Sequence, residues 1–204
     1  RKNAISKLVQ AVEGSRGFLE WRKGNKSAHL SSVFAMGKSA VQPGEWLLSY
    51  YDGKDDTFTT FSTTGSLTAE KEQAFKKSRT VPELKAGSVK IEFWDCMKTA
   101  ENVRAASYKN EEERSVVAIL QPLTPEEIFG NQGNSGNGNG RKAAKEAAKV
   151  AKVTKSAATK ALPVWNITYI TASFNVINIK IDAETGKVLN HRISGVMDFM
   201  QKDK

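Results

Sequence analysis

Cysteine, histidine and long apolar runs are scarce in this chain of 204 residues, and each scarcity removes a class of protein. The single cysteine, Cys96, has no partner within the chain, so an internal disulfide framework is excluded. Trp94 stands just before it in what reads as the start of a helix, and the expectation there is a buried apolar thiol rather than a reactive nucleophile. No run of 18 or more apolar residues occurs, so no membrane-spanning helix is expected within the chain. No leader-like apolar stretch follows Arg1, and a signal or anchor upstream of it would settle the compartment.

The two histidines, His29 and His191, have no cysteine or carboxylate at metal-ligand spacing, so no zinc site is expected. Thiol catalysis would need His29 or His191 to reach Cys96 through the fold, and no local signature marks such a pair. The acids Asp52, Asp55, Asp56 and Asp182, Glu184 lack the alternating oxygen ligands and closing Glu of a calcium loop, and read as solvated turns. The glycine-rich residues 130–140 lack the Gly-Lys-Ser/Thr ending that cradles phosphate. The expectation is a protein that is not an enzyme, with no metal and no small-molecule cofactor.

What the chain does have is an ordinary globular composition, 39% hydrophobic and 26% charged, with a formal net charge of +9. The charge is local. Arg141, Lys142, Lys145, Lys149, Lys152, Lys155 and Lys160 face a single acid, Glu146, within residues 131–160, while the rest of the chain is nearly balanced. Residues 142–162 are rich in Ala, Lys and Val, and Lys142, Lys145, Lys149 and Lys152 recur every three or four residues, which predicts a helix with a basic face. A candidate polyanion site therefore comprises Arg141, Lys142, Lys145, Lys149, Lys152 and Lys155, with nucleic acid, anionic lipid or an acidic wall polymer as partner. A solvated Ala/Lys helix on a flexible tether is the plainer reading, and Val150 and Val153 docked on a sheet is another.

Along the chain, residues 4–22 show helical spacing interrupted by Gly14 and Gly17, and 29–36 read as a strand. Residues 46–51 and 57–61 form a hairpin about an acidic turn. Thr68 as a cap predicts a short helix over 68–79, and Val81-Pro82 and Ala86-Gly87 mark a linker. A helix follows to Tyr108, then a strand over 116–123. Strands return over 165–169, 174–181 and 187–189, with Asp182 to Gly186 as a turn in which Gly186 can take a positive φ.

Two blocks look alike: Trp46-Leu-Leu-Ser-Tyr50 and Trp165-Asn-Ile-Thr-Tyr169, each followed by a turn containing acids. Their simplest account is a tandem pair of units, each a helix followed by three strands. Trp46, Tyr50, Trp165, Tyr169, Asp182 and Gly186 are then structural anchors, with core packing favoured over ligand stacking for the indoles.

Trp165-x-Ile-x-Tyr169 followed by Ile181-Asp-Ala-Glu-Thr-Gly-Lys-Val-Leu189 resembles the PepSY-type module, whose closing hairpin reads V-D-A-x-T-G-x-V-L. The resemblance is closest over 163–195, looser over 88–123 and faint over 1–80. The insertion at 131–161 departs from the pattern by splitting the second module. The resemblance implies an α+β fold of two modules, 1–80 and 81–204, each a helix packed on a small antiparallel sheet. It also implies a non-catalytic accessory of the cell envelope or secreted space that binds a protein partner, such as a peptidase it inhibits; a cytoplasmic place stays open.

Overall fold

Four stretches of the computed structural model are described: residues 3–37, 45–73, 81–129 and 160–195. The first helical segment splits where glycine weakens it, into α1 (Ala4–Glu13) and α2 (Arg16–Gly24). Each has its own side-chain cap: Asn3 accepts from the Ser6 N–H, and Ser15 from the Phe18 N–H. Strands β1 (His29–Gly37), β2 (Glu45–Asp52), β3 (Thr57–Ser62) and β4 (Leu67–Gln73) follow. After a 3-10 turn at Ala86–Ser88 come α3 (Phe93–Ser107), β5 (Glu113–Leu123), the short α4 (Pro125–Phe129), β6 (Leu162–Thr171), β7 (Asn175–Asp182) and β8 (Val188–Gly195).

The class is α+β, as expected, and all eight described strands join one antiparallel sheet in the order β4-β3-β2-β1-β5-β6-β7-β8. β1 and β5 meet at its middle, pairing Val33 with Leu120, Phe34 with Ile119 and Ala35 with Ala118. Each half of the sheet is a meander of four described strands preceded by helix: the second half carries the four strands read from the sequence, and the first half has β4 beyond the three read there.

Strand alternation sends one set of side chains beneath the helices. Val33, Leu48, Phe61, Leu120, Trp165, Ile167, Ile177, Ile179 and Ile181 are buried there with Ile5, Val12 and Phe18 from α1 and α2 and Phe93, Met97 and Ala100 from α3. Two aromatic clusters tie helices to sheet. Phe18 and Trp21 pack on Tyr50 and Phe61, with ring centroids 4.8 Å apart for Phe18 and Tyr50. Phe93 lies between Trp46 and Trp165, at 4.9 and 5.4 Å.

Several local expectations are corrected. Residues 67–73 are strand β4 rather than the start of a helix. Their side chains are almost all exposed, so there is no apolar stripe to dock a helix, and the open edge of β3 takes their backbone instead. Residues 81–85 do connect without regular structure, as read, but the connection is packed: Leu84 is buried and its N–H bonds the Leu30 carbonyl. Leu162 begins β6 instead of ending a helix, and Phe174 sits in the β6–β7 turn instead of the strand.

Candidate binding surface

Residues with potential chemistry are held apart from one another. Cys96 lies on the buried side of α3, fully enclosed, and burial, with Asp95 and Asp182 adding to it, pushes its thiol up to about 12, so at neutral pH it stays a thiol. The His29 ring Nε2 lies 2.9 Å from the Val81 carbonyl oxygen. His191 is across the molecule on β8, its Nδ1 2.7 Å from the Tyr108 hydroxyl. No group of three or more His, Cys, Asp or Glu among the described residues is arranged to hold a metal.

The acids are engaged in turns. Asp52 accepts from the Lys54 N–H at 2.9 Å and the Ser27 hydroxyl at 2.8 Å, and the backbone donor, aided by Ser27, holds its carboxyl below the usual carboxylate range. Asp56 accepts from the Tyr51 hydroxyl at 2.7 Å. Asp182 takes the N–H groups of Glu184 and Thr185, and Glu184 pairs with Lys90. Gly186 has φ +76°, the left-handed conformation the sequence anticipated.

Trp46 and Trp165 come together across the sheet, ring centroids 6.3 Å apart. Trp165 is fully buried and Trp46 partly so. Tyr50 donates to the Glu13 carboxylate at 3.3 Å, whereas the Tyr169 hydroxyl is buried with no hydrogen-bond partner among the described residues. Burial raises the pKa of both phenols. The Arg104 guanidinium lies 5.9 Å from the Tyr169 ring centre. All of these serve the core. Of the basic residues singled out, Arg141, Lys142, Lys145, Lys149, Lys152 and Lys155 lie outside the described residues; Lys160 is exposed just before β6.

A hollow of about 580 Å³ opens between the start of α1 and the 3-10 turn, lined by Asn3, Lys7, Gly87, Lys90 and Glu92. The Glu92 carboxylate already accepts the Ala4 N–H there at 3.3 Å, so the chain's own acid answers the helix end.

The other face of the sheet has a different character. Phe34, Leu47, Val117 and Ile119 cross its middle on β1, β2 and β5, partly exposed, and belong to neither buried cluster. Asn166, Thr168, Asn178, Lys180 and Arg192 continue these rows on β6, β7 and β8. Asn178 donates to Asn166 and Thr168 at 2.6 and 3.0 Å. α4 covers only one end, where Ile128 packs with Leu123 and Val164 and Lys180 Nζ donates to the Ile128 carbonyl at 3.0 Å. No other described helix lies over this face. Sequence reasoning passed over it, although the unbroken apolar run Val116-Val-Ala-Ile-Leu120 is the signature of a strand apolar on both faces.

No family model and no curated protein matches the chain. One solved structure is similar, a candidate lipoprotein from Clostridium difficile 630, at 10% identity over 95% of this chain and 100% of that one, with a TM-score of 0.44. No helix among the described residues is long and apolar enough to cross a membrane.

Proposed function

We propose that the chain is a non-catalytic binding and regulatory protein of PepSY type, built from two related halves, which engages a protein partner on the face of its sheet opposite α1, α2 and α3. The observation that carries this reading is the strip Phe34, Leu47, Val117 and Ile119: an apolar band left partly exposed across the middle of a sheet whose opposite face carries the main buried core. A peptidase is the first partner to test, from the PepSY resemblance of the C-terminal hairpin.

Duplication is supported by more than the two Trp-x-x-x-Tyr blocks. Counting outward from the β1–β5 seam, Trp46 and Tyr50 on β2 answer Trp165 and Tyr169 on β6. Exchange of the halves carries the pair Val33 and Leu120 onto the pair Ala118 and Ala35, so the register is two-fold about Phe34 and Ile119. The turn answering Asp182 to Gly186 is then the β3–β4 turn, not the acidic β2–β3 turn. Both turns carry Thr-Gly, with Gly65 at φ +77° and Gly186 at φ +76°.

The test is a progress-curve assay of secreted and envelope peptidases with the full chain, Ile119→Asp, Phe34→Asp and a chain lacking residues 131–160. Expected is inhibition by the full chain and the deletion variant, weakened at least tenfold by either Asp substitution in variants with unchanged circular dichroism. If no peptidase is slowed, the peptidase assignment is wrong. If the deletion alone abolishes activity together with heparin retention, the polyanion reading of Arg141 to Lys155 replaces it.

A further inference from the structure

Among the described residues, the two edges of the sheet, β4 and β8, occupy equivalent places in the two halves, and they are finished differently. β4 is blunted in the ways that prevent strand addition. Its ladder to β3 slips twice around Thr60, Lys71 stands at φ +50°, and the exposed sequence Glu70-Lys71-Glu72 lines it. β8 has none of this over its second half: Asn190, His191, Arg192, Ile193 and Ser194 pair in unbroken register with Lys180, Ile179, Asn178, Ile177 and Val176. Its single fully charged side chain between Val188 and Ser194 is Arg192, on the face shared with Asn178; Ile193, on the helix side, is 40% exposed.

The neighbouring corner repeats the contrast. Asp56 and Phe174 each immediately precede the third strand of their half, and both are left-handed, at φ +55° and +59°. Asp is tolerated there, but a bulky aromatic is not, and Phe174 is also 65% exposed, with the Arg114 guanidinium 5.9 Å from its ring centre. Neither burial nor backbone preference accounts for a phenylalanine at that position. Ile170, Phe174 and Ile193, three of the six exposed large apolar side chains among the described residues, lie in the β6–β8 region.

We propose that the outer edge of β8 captures an extended segment of a partner protein as a ninth strand, with a carboxylate opposite Arg192 and an apolar side chain beside Ile193. Main-chain hydrogen bonds supply affinity in this mode, and the alternating side chains select the segment. The occupant is a strand rather than a helix because an edge offers backbone donors and acceptors. It is acidic because Arg192 is the charge the edge presents.

The experiment uses the full chain and the blocked peptide Thr-Val-Thr-Val-Glu-Val-Thr-Val-Thr, which places Glu and Val on opposite faces. Hydrogen exchange with bound peptide is expected to show slowed amides within Val188–Ser194, and titration to show about tenfold weaker binding of the same peptide with Lys for Glu. Arg192→Glu should reverse that preference. N-methylation at alternate residues should abolish binding in one of its two phases. The idea is overturned if β8 amides are not slowed, if the Glu and Lys peptides bind alike, or if both N-methylated peptides bind as the parent does. Ile119→Asp is expected to leave the peptide affinity unchanged, so this edge and the open-face reading fail independently.

Discussion

The two halves of the sheet place the same side chains at the same stations and bury them to different depths. Trp46 and Trp165 both touch Phe93, yet Trp165 is sealed between α3, β5 and β7 while Trp46 lies near the rim. The reason is helical cover. α3 is a single helix of 15 residues over β6 and β7, whereas α1 and α2 divide their half at Gly14, and α2 makes its own aromatic cluster at Tyr50 and Phe61. Matching positions in the two halves are thus not energetically equivalent, because the layer above them decides how much surface leaves water. The sharpest way to break this comparison is Trp165→Ala, expected to lose about 3–5 kcal/mol as a full core truncation. Trp46→Ala should lose less, about 2–3 kcal/mol, since Trp46 is only partly buried where it packs on Phe93. Urea titration with the slope held common to both variants measures the difference; equal losses would remove the asymmetry.

The paired turn glycines sharpen it further. Both stand at positive φ, so an added Cβ meets the same backbone penalty of about 1–2 kcal/mol. Their surroundings differ: at Gly186 the nearest heavy atom is an Ile91 side-chain carbon at 3.5 Å, an ordinary contact, but at Gly65 the Ser15 Cβ would be 2.3 Å away. Gly65→Ala must push the start of α2 off the sheet, adding about 1–3 kcal/mol of overpacking. The expected order of thermal stability is parent, then Gly186→Ala, then Gly65→Ala. The reverse order would mean that α2 yields freely and the first half is the softer one.

How much of this was legible in the residues follows from where each signal is generated. The β2–β3 hairpin, the left-handed Gly186 and the helix break at Gly14 are written locally, in turn chemistry and backbone freedom, and local patterns report them. The α+β class follows from the same patterns. β4 was missed because its strand state is imposed by a neighbour: Thr68 looks like a cap, but the edge of β3 outbids a helix that has no apolar face. The seam between β1 and β5 joins residues about 80 apart and has no local trace. The second face was missed for a different reason: apolar residues on both sides of β5 read as core, and only the placement of the described helices tells its two sides apart.

The smallest expected effect comes from the carboxylates at the two hairpin ends. Asp52 and Asp182 both accept a backbone N–H two residues on, at 2.9 and 2.8 Å, but Asp52 also takes the Ser27 hydroxyl and carries a lowered pKa, caused chiefly by the Lys54 N–H with Ser27 adding to it. A carboxyl whose folded pKa lies below its unfolded value, about 3.9, contributes stability that is complete above that value and disappears as pH falls through the folded one. Asn at position 52 keeps an oxygen for the Lys54 N–H and cannot ionise. Asp52→Asn is therefore expected to lie below the parent in stability at pH 7 by a fraction of a unit of denaturant, and to converge on it between pH 4 and the folded pKa. Unfolding titrations of both proteins across that range follow the gap directly. A gap that stays constant with pH would assign the role of Asp52 to turn geometry alone.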